Sequence, residues 1–335
     1  MTFPATVLRL ALRKARRWAK HRQDGDHAIL MTAMGSKFSR AVGYGESRQI
    51  CVKFLIQEKK TGVPISLRVP EEIEVRHRGV AYRVPTDVVA VGQVNLHVAV
   101  LESFVNGTRR EIGTPGCLLM NSAGRKFLLT AGHLFAAGPL PAGTPQGTLE
   151  IKVNGVYTGD LINEASNLVR DNLFLDMGIT TFPPPNYQGQ LAAPPWNSLV
   201  DYFRDSQMTM NPRDPFGSGP MKAQVCGSQR QPVVEVDTVI TQPLRVSDMS
   251  LPIAPPLFLY RSLPGQPANI PGDSGAAVVV IDTSRNARTN MILAIHVAGP
   301  SEDGGGEPLG WGVPVCTIID ILEAKFQQQF AVISS

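Results

Sequence analysis

No stretch of this chain approaches the roughly 18 to 20 consecutive apolar residues that a membrane-spanning helix needs. No uninterrupted apolar segment follows the first cluster of charges either, so neither a span nor a secretion signal is expected. Cysteine is sparse. Cys51, Cys117, Cys226 and Cys316 stand far apart with no CxxC pair, which offers no thiolate cage for a metal and no disulfide framework for a chain this long. They read as reduced thiols of a cytoplasmic protein, although the count leaves room for two bridges. A large charge excess is missing too: a net +4 over 335 residues does not by itself imply a nucleic-acid partner. There is no repeat of solenoid period, and nothing in the pattern calls for a metal or an organic cofactor.

What is present favours strands. Hydrophobic residues make up 43% of the chain, enough to bury a sizeable core, and the length points to two packed units plus an extension. The 31 glycines and 27 prolines suit short strands joined by tight turns better than helices. Charge is unevenly spread. Arg9, Arg13, Lys14, Arg16, Arg17, Lys20 and Arg22 stand in the first 22 residues without one acid, interleaved with Leu8, Leu10, Leu12 and Trp18. A basic amphipathic helix that meets an anionic surface or a regulatory partner would look like this, and so would a solvated terminus.

The pattern divides the chain into a basic, irregular or helical extension at 1–45, a first β-unit with preceding strands at 46–185, a proline-rich connection at 186–220, and a second β-unit with a terminal helix at 221–335. Strands are expected at 51–57, on both sides of a turn within 73–92, at 117–120 pairing with 126–130, and at 221–226, 233–240, 256–260, 275–281 and 291–297. Near the end Ile318, Leu322, Phe326 and Phe330 recur every four residues, which predicts a helix with one apolar stripe.

Three short segments carry chemistry. Hydrolysis through an acyl-enzyme needs a hydroxyl beside a base, a third group fixing that base, and donors aimed at the developing oxyanion. In Pro271-Gly272-Asp273-Ser274-Gly275 the Ser274 hydroxyl is uncrowded, and the N–H groups of Gly272 and Ser274 can form one anion-binding nest. Thr130-Ala131-Gly132-His133 ends an apolar strand with small residues and leaves room for an imidazole. Asp176 sits between Leu173-Phe174-Leu175 and Met177-Gly178-Ile179, where a lone acid is costly unless something such as a histidine N–H holds its charge. Asp160 and Asp171 lie close enough in sequence to compete for that role.

These segments resemble the three catalytic motifs of the trypsin-like serine peptidases, in the family's order of His133, Asp176 and Ser274. The resemblance covers about residues 90 to 325 and is nearer in flavour to intracellular bacterial and plant members. It implies an all-β, chymotrypsin-like fold of two six-stranded-type antiparallel β-barrels, with an N-terminal extension and a C-terminal helix, and a serine endopeptidase acting on protein or peptide substrates. Secreted relatives carry cysteines where this chain has Leu134 and Ile270, so their disulfides are not expected. No Ile-Val-Gly-Gly stretch exists whose amine could pair with Asp273, so activation of that type is not expected.

The resemblance also places Ala268 in the substrate pocket where trypsin has an aspartate, leaving no counter-charge for Lys or Arg. It aligns Ala294 to Gly299 with the pocket wall and puts His296 where glutamyl endopeptidases and viral 3C-like proteases have a histidine, which implies a preference for Glu or Gln before the cut. Val297, Ala298 and Gly299 are expected to pair with the substrate backbone as an added strand. Three competing readings are a catalytically silent peptide-binding module on the same fold, a viral polyprotein protease, and a nucleic-acid or membrane-surface protein acting through its N-terminal cations. Regulated activation, as in a bacterial stress or defence system, fits an intracellular protease, with residues 1–90 as the regulatory part.

Overall fold

The computed structural model describes residues 3–20, 29–37, 49–56, 68–90, 94–96, 101–145, 147–153, 156–166, 169–170, 172–181, 201–202, 221–227, 231–246, 249–263, 273–281, 291–300 and 309–333. Strands dominate, as the glycine and proline content predicts, and three assemblies follow one another along the chain.

The first is an N-terminal module that sequence analysis divided at residue 45. Helix α1 (Ala5–Lys20) packs on a four-stranded sheet of order β1-β2-β4-β3, built from β1 (Ile29–Lys37), β2 (Gln49–Ile56), β3 (Glu72–His77) and β4 (Val80–Ala90). The β1–β2 pairing runs from Ile29↔Ile56 to Lys37↔Gln49 and crosses the expected boundary, so a strand follows the helix in the part foreseen as an irregular or helical extension. Every fourth residue of α1, namely Val7, Ala11, Ala15 and Ala19, is buried against Val52, Phe54, Ile73, Val75 and Val84. Small residues let the helix lie close to the sheet, and Trp18 closes one side edge-on against Phe54. Alternation along β2 sends Val52 and Phe54 to the helix and Lys53 and Leu55 to the rest of the molecule. Between β3 and β4, Arg78 and Gly79 both take positive φ, the two-residue turn whose twist matches the strands it joins.

A short strand, β5 (Val94–Leu96), precedes the first barrel. That barrel is two four-stranded sheets. One has the order β11-β10-β6-β7, from β6 (Leu101–Val105), β7 (Thr108–Gly113), β10 (Leu149–Val153) and β11 (Val156–Asp160). The other contains β8 (Cys117–Asn121), β9 (Lys126–Ala131) and β14 (Met177–Thr181). A bridge between Leu161 and Thr180 joins the sheets. A one-turn helix, α2 (Asn163–Ser166), and the pair β12 (Val169–Arg170) and β13 (Leu173–Phe174) lie between β11 and β14.

The second barrel closes fully. Strands β16 (Lys222–Val225), β17 (Val233–Ile240), β18 (Leu257–Ser262), β21 (Leu309–Pro314), β20 (Met291–Pro300) and β19 (Ala277–Val280) form an unbroken ring of six antiparallel pairings. Closure removes the open edges that invite aggregation. Strand β15 (Asp201–Tyr202) adds to β20 in parallel and is the only described part of the expected proline-rich connection. No disulfide links the four cysteines.

The terminal helix α3 (Val315–Phe326) buries Val315, Ile318, Ile319 and Leu322, but it stops before Phe330. Gln327 turns left-handed at φ 53°, and Phe330 opens β22 (Phe330–Ile333), which pairs with β8 to complete the order β14-β9-β8-β22. The four-residue spacing of Phe330 was therefore coincidental. Its ring packs at 5.8 Å from Phe127 in the first barrel. The C-terminus thus ties the two barrels together, and one apolar cluster runs through both of them and the inner face of the N-terminal sheet, where it takes in Met31, Ala33, Leu55 and Val89.

Candidate active site

His133 lies in a single 3-10 turn, Gly132–Leu134, at the end of β9. Gly132 has no alternative residue. A Cβ there would sit 2.7 Å from Met177 O, 2.9 Å from Met177 N and 2.9 Å from the Phe174 ring, so the missing side chain is what lets the turn press against β14. That contact brings His133 to Asp176. The Asp176 carboxylate accepts the His133 backbone N–H at 2.8 Å through Oδ1, and its two oxygens lie 3.0 and 2.9 Å from ring Nδ1. Asp176 is 1% exposed and holds φ 45°, a left-handed conformation that aspartate tolerates better than most residues. Its loop is pinned from the far side, where Phe174 N–H donates to Pro252 O and Ala254 N–H to Phe174 O, both at 2.8 Å.

The tautomer follows from this arrangement. An ionised carboxylate only accepts, so Nδ1 must carry the proton and Nε2 keeps a basic lone pair. Nε2 is buried and has no hydrogen-bond partner among the described residues. Of the two candidate acids among the described residues, Asp176 is the one that meets the imidazole. Asp160 instead accepts the Tyr157 hydroxyl at 2.7 Å, and Asp171 lies outside the described residues.

Ser274 reaches the same junction from the second barrel. Its carbonyl accepts the Thr114 N–H at 2.8 Å. Gly275, at φ 90°, is wedged so tightly that a Cβ would meet Thr114 O and Thr130 Oγ1 at 2.2 Å and Ala131 N at 3.4 Å, two residues before His133. Thr130 itself donates to Thr114 O at 3.1 Å, closing the set. The Ser274 hydroxyl is fully buried and donates to Val297 O at 3.3 Å.

Strand β20 forms the adjoining wall. His296 clamps the Ser274 turn through its backbone, accepting the Gly275 N–H and donating to Ala276 O, each at 2.8 Å. Its ring is fully buried, and Nδ1 is hydrogen-bonded to the Tyr260 hydroxyl, which also reaches Trp311 O at 3.3 Å. Burial, with a contribution from the negative charge of Asp273, holds the Tyr260 phenol well above its ordinary pKa, so it stays a neutral donor. Sequence reasoning missed Tyr260 and Thr114. Each occupies an ordinary strand or loop position with no motif around it. Val297, Ala298 and Gly299 continue the wall in buried positions, with Ala298 and Gly299 already paired to β5. Gly272 and Ala268 lie outside the described residues.

No protein-family model and no curated protein sequence matches the chain. Among solved structures it is similar to Thermobifida fusca Protease A, with 11% identity over 71% of this chain and 98% of that one at a TM-score of 0.41. It is also similar to the Nocardiopsis protease, at 13% identity over 70% and 98% with a TM-score of 0.40. The HtrA-type protease AlgW, solved with a decapeptide, aligns at 15% identity over 66% of this chain and 53% of that one with a TM-score of 0.36.

Proposed function

We propose that the chain is a serine endopeptidase whose reaction runs through Ser274, His133 and Asp176. The observation that carries this reading is the grip of one buried carboxylate on both N–H groups of His133, which leaves Nε2 basic and without a partner among the described residues, at the junction where Ser274 arrives from the other barrel. In the reaction the Ser274 hydroxyl turns from Val297 O to Nε2, gives up its proton there and attacks the substrate carbonyl. Asp176 stabilises the imidazolium, which then protonates the leaving amine. The N–H groups of Gly272 and Ser274 hold the oxyanion, and water releases the acyl group by the same route in reverse.

His296 supports a preference for Glu or Gln before the cut. If Tyr260 donates to Nδ1, the opposite ring nitrogen carries a proton, and a neutral imidazole becomes a donor suited to a carboxylate or amide oxygen. The four cysteines without a disulfide suit a cytoplasmic setting and activity controlled in place. A second reading, a silent peptide-binding module, is favoured by the Ser274 hydroxyl resting on Val297 O rather than on Nε2. Labelling with a fluorophosphonate probe separates the two. Covalent modification that disappears in Ser274→Ala supports the enzyme, and an unlabelled, correctly folded protein supports the module.

The basic helix is assigned an anionic partner on different grounds. The apolar face of α1 is spent on the N-terminal sheet, which leaves little of it to enter a bilayer, while Arg9, Arg13, Lys14, Arg17 and Lys20 remain exposed. A polyanion held by those cations should bind more weakly as salt rises and when the arginines are reversed in charge. Salt-independent binding would remove the assignment.

A further inference from the structure

The edge of β20 expected to receive substrate is not open. Strand β5 pairs with it in antiparallel register, Leu96 opposite Ala298, Asn95 opposite Gly299 and Val94 opposite Pro300. Among the described residues β5 has no other strand partner, so this pairing alone defines it. Its direction matters. A peptide to be acylated must lie with its N-terminal side on the enzyme and its chain heading toward the nucleophile. Strand β5 runs from Pro300 toward Ala298, and the next residue of β20 is Val297, whose carbonyl holds the Ser274 hydroxyl.

We propose that β5 is the resident occupant of the β20 edge expected to receive substrate, a tethered substrate mimic that incoming chains must displace. The claim rests on the protease reading for its functional meaning, while the occupancy stands on the pairing itself. The state of the catalytic groups agrees with a resting enzyme, since the Ser274 hydroxyl is held by Val297 O while His133 Nε2 has no partner among the described residues. The tether is short. Only three residues separate β5 from β4, and four separate it from β6. A segment held in cis on such linkers acts at an effective concentration on the order of millimolar. A peptide of equal intrinsic affinity supplied at micromolar concentration is therefore outcompeted, and activation requires a better substrate or the withdrawal of β5.

The test uses this chain's own segment as ligand. A fluorescein-labelled peptide of residues 91–100 is titrated by fluorescence polarisation into full-length Ser274→Ala protein. The same titration is made with that protein also carrying Asn95→Pro and Leu96→Pro, which removes whichever N–H faces β20. A third version replaces residues 94–96 with Gly-Ser-Gly, so that a folding defect of the proline variant cannot decide the result. Both β5 variants should bind at least tenfold more tightly than the version with β5 intact. Equal affinity in all three, or no binding to any, would overturn the proposal. With Ser274 restored, the β5 variants should also react faster with the fluorophosphonate. Labelling absent from every version while the peptide results hold would defeat the protease reading and leave the docking edge in place.

Discussion

Lys53 Nζ lies 2.5 Å from Asp237 Oδ2, and both side chains are almost completely shut away from solvent. The lysine belongs to β2 of the N-terminal module and the aspartate to β17 of the second barrel, so this ion pair fastens one assembly to the other. Hydrogen bonds from Arg16 to Thr241 Oγ1 and from Thr32 N–H to Gln242 Oε1, the latter at 3.0 Å, extend the same seam. A module attached in this way is part of the folded body.

Removing one partner of a buried pair strands the other charge, at about 3–5 kcal/mol, whereas replacing both with apolar groups of similar size is often neutral. Lys53→Met should therefore lower unfolding stability by about that amount in urea, and Lys53→Met with Asp237→Leu should recover most of it. If the single and double variants are equally unstable, the pair is not what holds the seam.

Asp176→Asn should lower kcat by about ten-thousand-fold while leaving the unfolding midpoint near that of the parent. An amide of the same shape can present its N–H to Nδ1, which moves the imidazole proton to Nε2 and abolishes the base. Initial rates on a casein-type substrate, read beside the denaturation curve, check this. A loss of less than tenfold would return the orienting role to another acid.

Gly275→Ala tests how tightly the Ser274 turn is seated. The backbone there is left-handed, and the new methyl would overlap Thr114 O and Thr130 Oγ1. Strain of about 1–2 kcal/mol from the backbone and about 1–3 kcal/mol from overpacking should combine. A fall in the urea midpoint together with loss of fluorophosphonate labelling is expected. An alanine variant as stable and as reactive as the parent would show that the turn can relax.

Thiol chemistry should be quiet. Burial pushes the Cys226 pKa up to about 12, and Cys117 is raised further for the same reason. At pH 8 the thiolate fraction of Cys226 is then on the order of one in ten thousand. Cys51 is buried as well, and Cys316 is half-buried with a raised pKa. Titration of the native protein with a disulfide-exchange reagent at pH 8 should detect Cys316 at most, and unfolding in denaturant should release all four. Rapid reaction of two or more thiols in the native state would contradict this packing.

Much of the architecture was legible where chemistry is local. Val233–Ile240 is rich in β-branched residues and forms a strand over the span expected for it. Two strand-to-strand turns needed no tertiary information: Asn106-Gly107, with both residues at positive φ, makes a hairpin of the kind that dipeptide favours, and Arg78-Gly79 behaves alike. The partner of His133 was readable because a lone acid among Leu175, Met177 and Ile179 demands one. What stayed hidden depends on partners far along the chain. The β1 segment, with methionine, alanine and glycine through its middle, has weak strand propensity and gains its place from β2 and from contact with β17. Lys53 reads as a surface residue until Asp237 is set beside it. The occupation of β20 by β5 has no sequence signature, since backbone pairing does not depend on which side chains the strand carries.

The wall histidine gives the last prediction. His296 is buried, and the orientation of its ring is fixed by the Tyr260 hydroxyl at Nδ1. Tyr260→Phe removes that anchor while keeping the apolar body of the side chain, so the fold should survive and the ring should lose its fixed orientation. If the ring reads a substrate oxygen, the variant should lose its advantage for Glu and Gln over Leu before the cut by about tenfold. That loss should appear mainly in KM, because substrate and transition state both use the contact. Hydrolysis of matched peptides that differ only at that residue measures the ratio. Were kcat to fall equally for every peptide with the ratio unchanged, Tyr260 would be bracing the Ser274 turn through the His296 backbone, and the pocket would owe its selectivity to other groups.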